Sequence, residues 1–93
     1  MPATFYILAS GRNGTLYHGS TNDLSKRVWE HKNKLTPGFT SRYGVTKLVY
    51  CEHYDRLMDA RAREYKVKHW RRAWKLKLIE ARGWRDLYDE LNS

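Results

Sequence analysis

Between Arg61 and Arg82 the chain reads RAREYKVKHWRRAWKLKLIEAR: nine Lys or Arg against two acids, with Tyr65, Trp70 and Trp74 set among them. Basic side chains neutralise phosphates and aromatic rings offer faces on which bases stack, so this pattern suits a nucleic-acid partner. The rest of the chain is far less charged. Residues 1–60 hold eight basic and five acidic residues, and residues 83–93 hold one and three, so the segment supplies +7 of a formal net charge of +8. A run of charge is often only a solvated helix face; the rings between these cations favour contact with a polyanion instead. Arg63, Lys66, Lys68, Arg71, Arg72 and Lys75 are the candidate phosphate contacts here. Arg42 joins them from a polar loop, 39–44, that also carries Thr40 and Ser41.

Other chemistries find less support. Cys51 and His53 share one face of an extended segment, but no CxxC or second cysteine accompanies them, which argues against a zinc site. No motif supports a Ser–His or Cys–His nucleophile. A lone cysteine forms no internal disulfide, and MPATFYILAS lacks the basic start and long apolar stretch of a signal peptide, so a reducing, cytoplasmic setting is expected. No run approaches the roughly 20 apolar residues of a membrane span. Ninety-three residues suit one domain over 1–93, and a 41% apolar content with 13 aromatic rings is enough for a small core.

The elements that must position these residues can be read from periodicity. TFYILA at 4–9 is β-rich, and Asn13-Gly14 predicts a hairpin returning over 15–18, which brings Tyr6 and Tyr17 into one neighbourhood. Gly19 to Asn22 offers turn and cap residues, with Asp23 set against the positive end of a helix over 23–34. Leu24, Val28 and Leu35 share one face of that helix, Arg27 and His31 another, and Pro37-Gly38 ends it. VTKLVYCE at 45–52 reads as a third, central strand because its middle is apolar on both faces. Asp55 caps a second helix reaching His69, with Met58, Ala62, Tyr65 and His69 as a stripe and Glu64 beside it. A third helix spans 73–81 and stops at Gly83, and Trp84, Leu87, Tyr88 and Leu91 mark a fourth. The expected fold is α+β, a small three-stranded, mostly antiparallel sheet flanked by helices.

FYIL at 5–8, LYHG at 16–19, Arg27 and His31 on one helix, LVYCE at 48–52 and REYKVKHW at 63–70 together resemble the GIY-YIG nuclease domain, in particular its smallest stand-alone, single-domain branch. The motif region spans 4–70, with C-terminal helices over 72–91. The resemblance implies that Tyr6 matches the tyrosine of the first triplet, and that Tyr17 and Gly19 match the ends of the second, Gly19 serving the turn. It implies that Arg27 is the catalytic arginine, His31 the polar residue one turn on, and Glu64 the metal-binding glutamate. The reaction so implied is divalent-metal-dependent hydrolysis of phosphodiester bonds, with one Mg²⁺ or Mn²⁺ as cofactor.

Elementary chemistry agrees. A single carboxylate can hold Mg²⁺, which keeps several waters. A guanidinium matches the oxygens of a phosphate in the transition state. Water must also be activated, and a tyrosine, ordinarily titrating near ~10, needs a cation beside it for that task. Tyr6, Tyr17 and the better-placed His31 are all candidate bases. Three features depart from the family pattern: His18 stands where an apolar residue is usual, Arg71-Arg72 replaces a capping Ser or Thr, and the family's late asparagine has no match, Asn92 lying too far along.

The expected function is an endonuclease cutting DNA with little sequence specificity, since no element resembles a groove-reading motif. The alternatives are a catalytically weak or inactive nucleic-acid-binding module of the same fold and a structural adaptor on a basic assembly. The expected partner is nucleic acid, DNA before RNA, with no membrane and no obligate protein partner evident. The sequence sets no oligomeric state.

Overall fold

The computed structural model describes residues 2–35, 38 and 42–91. Its centre is β1 (Ala3–Ala9), flanked by β2 (Leu16–Thr21) and β3 (Lys47–Tyr54) in the order β2-β1-β3, both pairs antiparallel. The expected central strand was the 45–52 segment; β1 holds that place instead. Every residue from Ala3 to Ala9 is buried, as a strand must be when it is paired on both sides and covered on both faces. In β3, by contrast, burial stops at Tyr50, and the strand runs two residues further than expected.

Alternation along β1 divides the core in two. Phe5 and Ile7 face one side with Val49, Ala60, Val67 and Ile79, whereas Tyr6 and Leu8 face the other with Leu24, Val28, Leu48 and Leu87. A bulge lies opposite Ile7 and Leu8, which pair with Tyr50 and Leu48, leaving Val49 as the extra residue. It turns Val49 and Tyr50 toward the same core while Leu48 and Cys51 join the opposite one.

The hairpin loop holds Asn13 at φ 57° and closes with Ser10 N–H donating to the Thr15 carbonyl at 3.0 Å. Beyond it β2 continues through Gly19, Ser20 and Thr21, which were expected to form a turn. Gly19 pairs with Tyr6 inside the ladder, so it is a strand residue and not a turn glycine.

Helix α1 (Leu24–Lys32) begins at Asp23, whose carboxylate accepts the Lys26 N–H at 3.2 Å. It ends at Asn33, short of the expected Lys34, and Pro37 lies outside the described residues. His31, not Leu35, is the third buried position after Leu24 and Val28.

Helix α2 (Leu57–Lys68) starts at Arg56 with no side-chain cap, so Asp55 does not play that part. The stripe expected at 58, 62, 65 and 69 is the solvent face: Met58 and Tyr65 are about 70% exposed, and Ala60 and Val67 carry the burial. Helix α3 (Arg72–Glu80) follows, uncapped at Arg71 as its sequence implies, and buries Ile79. The chain closes with α4 (Tyr88–Leu91), one turn only; Trp84 and Leu87 are buried ahead of it. Asp86 fastens this end, accepting the Leu48 and Tyr88 N–H groups at 3.2 and 3.0 Å and pairing with Lys32 of α1.

Candidate active site

Tyr6 lies in the middle of the central strand with its ring directed into the α1-side core, 1% exposed. Its cross-strand neighbour is Gly19, and the reason for a glycine there is space. A Cβ on Gly19 would sit 2.5 Å from Tyr6 Cζ and closer still to its hydroxyl, so the ring lies directly against the β2 backbone. Any side chain at 19 would push the phenol away from this edge strand.

Around the Tyr6 hydroxyl the α1 side chains gather. His31 Nε2 is 3.5 Å from it, and the ring of Tyr17 lies 5.3 Å from that of His31 and 6.5 Å from that of Tyr6. Arg27, one turn before His31, stands beside the same hydroxyl and also pairs with Glu30 at 3.4 Å. Burial pushes Tyr6 up to about 12, against the opposing pull of the Arg27 guanidinium. Burial also lowers His31, and the Arg27 charge lowers it further, so its imidazole stays neutral near pH 7. Arg27 also borders a shallow cavity of about 280 Å³, together with Thr21, Asn22, Asp23, Lys26 and Glu30.

Glu64 comes from the other face of the sheet. Its Oε1 accepts the Ser20 hydroxyl proton at 2.6 Å, and its Oε2 pairs with Lys68 at 3.1 Å. Ser20 follows Gly19, and successive strand residues point to opposite faces. The Tyr6 phenol and the Glu64 carboxylate therefore approach adjacent residues of β2 from its two sides. The Glu64 charge contributes to raising Tyr6, a sign that the two groups lie within electrostatic reach.

With this geometry the comparisons are decisive. Residues 2–77 match the GIY-YIG catalytic domain. The chain belongs to the GIY-YIG nuclease family. It is 38% identical over 78 residues to a UPF0213 protein of Clostridium perfringens, covering 84% of this chain and 83% of the relative. A UPF0213 protein of Staphylococcus saprophyticus is 34% identical over 79 residues, 85% of this chain and 96% of its own length. The solution NMR structure of a UPF0213 protein from Bacillus halodurans superposes with a TM-score of 0.53 at 30% identity, covering 89% of this chain and 87% of that one. The three-stranded antiparallel sheet with flanking helices is thus the architecture shared with that GIY-YIG-like relative.

The basic residues fare unevenly. Arg63 forks onto Glu52 through Nε and Nη2 at 3.0 and 3.2 Å, and its guanidinium lies 4.9 Å from the Trp70 ring centre. Arg72 donates to the carbonyls of Asn13 and Gly14 at 2.9 and 2.6 Å, Lys75 to that of Lys68 at 3.0 Å, and Lys68 to Glu64. Four of the seven expected phosphate contacts are thus engaged within the fold. Lys66 and Arg71 are exposed on the α2–α3 surface, and exposed Arg42 lies 5.7 Å from the Tyr43 ring. Thr40, Ser41 and Asn92 lie outside the described residues.

Two residues of β2 beside the candidate residues escaped the sequence reading. Ser20 was read as a turn residue and is the partner of Glu64. His18 was noted only as a departure from pattern, and its Nε2 is buried with no hydrogen-bond partner among the described residues. Burial, then the charges of Lys75 and Lys68, lowers it to about 4.

Proposed function

We propose that this GIY-YIG domain, acting as one unit over 1–93, is a divalent-metal-dependent endonuclease that hydrolyses phosphodiester bonds of DNA with little sequence specificity. The observation that carries the reading is that Tyr6, with Arg27 and His31 beside its hydroxyl, packs against Gly19 of β2 while Glu64 accepts a hydrogen bond from the adjacent Ser20.

The donor set at Glu64 fits one hard cation. A single carboxylate is a sufficient protein ligand for Mg²⁺ or Mn²⁺ when water and phosphate oxygens complete the shell. Glu64, oriented at the β2 edge by the Ser20 hydroxyl, is the residue that would anchor it. Lys68, half exposed, is free to swing off Oε2, while the Ser20 hydroxyl keeps Oε1 in orientation. The bound ion supplies positive charge against the phosphate.

The chain's own groups do the rest. Arg27 presents fork-shaped donors to the non-bridging oxygens, where charge accumulates in the transition state. Tyr6 is a poor base by itself at about 12, and the neutral His31 Nε2 beside its hydroxyl offers a site for the phenolic proton. Tyr6 accordingly takes a proton from water as it releases its own to His31; the water oxygen bonds to phosphorus as the bond to the leaving sugar oxygen breaks, and solvent protonates that oxygen. Tyr17 packs against both rings and holds their arrangement. The charged surface of α2 and α3, through Lys66 and Arg71, and Arg42 position the strand.

The test is nicking of supercoiled DNA with Mg²⁺ or Mn²⁺. Glu64→Ala should abolish cutting, Arg27→Ala should reduce kcat by about 10²–10³-fold, and Tyr6→Phe should remove most activity while leaving binding intact. Equal cutting by wild type and Glu64→Ala, or DNA binding without product under any metal, overturns the assignment and favours a binding module.

A further inference from the structure

Helix α2 carries Glu64 and packs over all three strands of the sheet. Ala60 and Val67 are its buried residues, and Leu57 packs against the same core. No side chain caps its first turn. Among the described residues, two polar contacts made by consecutive residues join this packing and add direction to it. Glu64 reaches β2 through Ser20, and Arg63 reaches β3 through Glu52.

The β3 contact is the more constrained. Glu52 accepts both guanidinium protons, the Tyr54 hydroxyl at 2.6 Å and the Tyr50 hydroxyl, so its two oxygens are fully engaged. The Arg63 plane is further confined between Glu52 and the Trp70 ring. A bidentate, charge-assisted pair fixes direction as well as distance, which a lysine in the same place cannot do. Arg63 was expected to bind nucleic acid; its forked donors face inward instead.

We propose that the Arg63–Glu52 clasp, with the Tyr50 and Tyr54 hydroxyls, is a positioning device that sets the rotation of α2 and so aims Glu64 at Ser20 on the opposite edge of the sheet. Arg63 touches no substrate in this arrangement. It acts through the helix backbone, one residue away from the carboxylate. The catalytic arm of the test rests on the endonuclease reading; the structural arm does not.

The structural arm is the Ser20 amide resonance of ¹⁵N-labelled protein. Glu64→Gln supplies the reference shift for a loosened Glu64–Ser20 contact. Arg63→Lys and Glu52→Gln should displace Ser20 in the same direction as that reference, and Tyr54→Phe, a milder change that removes one donor from an edge strand, should do so to a smaller extent. In the catalytic arm, Arg63→Lys should lower kcat by about 10- to 100-fold with KM changed less than about twofold, the pattern of a misaimed group. If Ser20 stays at its wild-type shift in Arg63→Lys, or in Tyr54→Phe where that variant does not fold, the clasp serves stability alone and the inference falls. Should no variant or wild type cut DNA, the endonuclease reading fails while the Ser20 shifts still decide the positioning role.

Discussion

His18 shows how one residue can be costly where it stands. It occupies the buried middle of β2 with Nε2 unpartnered, while Lys68 and Lys75 place positive charge nearby and Glu64 only partly offsets it. Its protonation constant falls from 6.5 in the unfolded chain to about 4 in the fold. Between those values the unfolded chain takes up a proton that the folded chain refuses, so stability is lost as pH falls from about 6.5 toward 4 and is unaffected by this group above that range. At pH 4.5 the loss is about 3 kcal/mol from this residue. Urea unfolding of wild type and His18→Ile at pH 7 and 4.5 measures it: the variant should be the more stable at both, with the gap widening at pH 4.5. A gap that stays constant with pH rules the titration out.

At the scale of elements, the hairpin, the three strands and the helices over 24–32, 57–68 and 72–80 were legible because hydrophobic period and turn chemistry report them directly. Strand order was not. Both β1 and the middle of β3 are apolar on both faces, and only pairing reveals that β1 has a neighbour on each side. The family motifs named Tyr6, Tyr17, Arg27, His31 and Glu64 as candidates; the fold brings the rings of Tyr6, Tyr17 and His31 together beside Arg27, and Glu64 meets Ser20 on β2. Ser20 and the engaged state of Arg63 and Arg72 were not legible, since a partner distant in sequence leaves no local signal. Arg72 makes the point measurable. From the first turn of α3 it holds the hairpin loop by the Asn13 and Gly14 carbonyls. Arg72→Ala should cost about 1–2 kcal/mol and speed amide exchange at Gly14 and Thr15 relative to the β1 core. DNA affinity should change little. Unchanged exchange with a clear loss of affinity would return Arg72 to the phosphate-binding group.

For the whole molecule, a net charge of +8 does not convert directly into phosphate contacts. Among the described residues six ion pairs engage some of the 18 Lys and Arg side chains, among them Arg63–Glu52, Lys68–Glu64 and Lys32–Asp86, and Arg72 and Lys75 are donors to backbone carbonyls. Only cations that release condensed counterions from DNA contribute to the salt dependence of binding, each by a slope of about 0.9 in log affinity against log salt on a duplex. Lys66, Arg71 and Arg42 are exposed and should count. Titrations of a duplex against wild type and single alanine variants from 50 to 200 mM salt, a range that spans a large change in affinity for such contacts, separate the two kinds of residue. Removing Lys66 or Arg71 should lower the slope by about one unit each. Removing Arg63 should leave the slope unchanged even where it lowers activity, because its charge is already matched by Glu52. A slope that falls equally for Arg63 and Lys66 would mean that the clasp opens on DNA, and that the basic segment acts as a single surface in spite of its internal pairs.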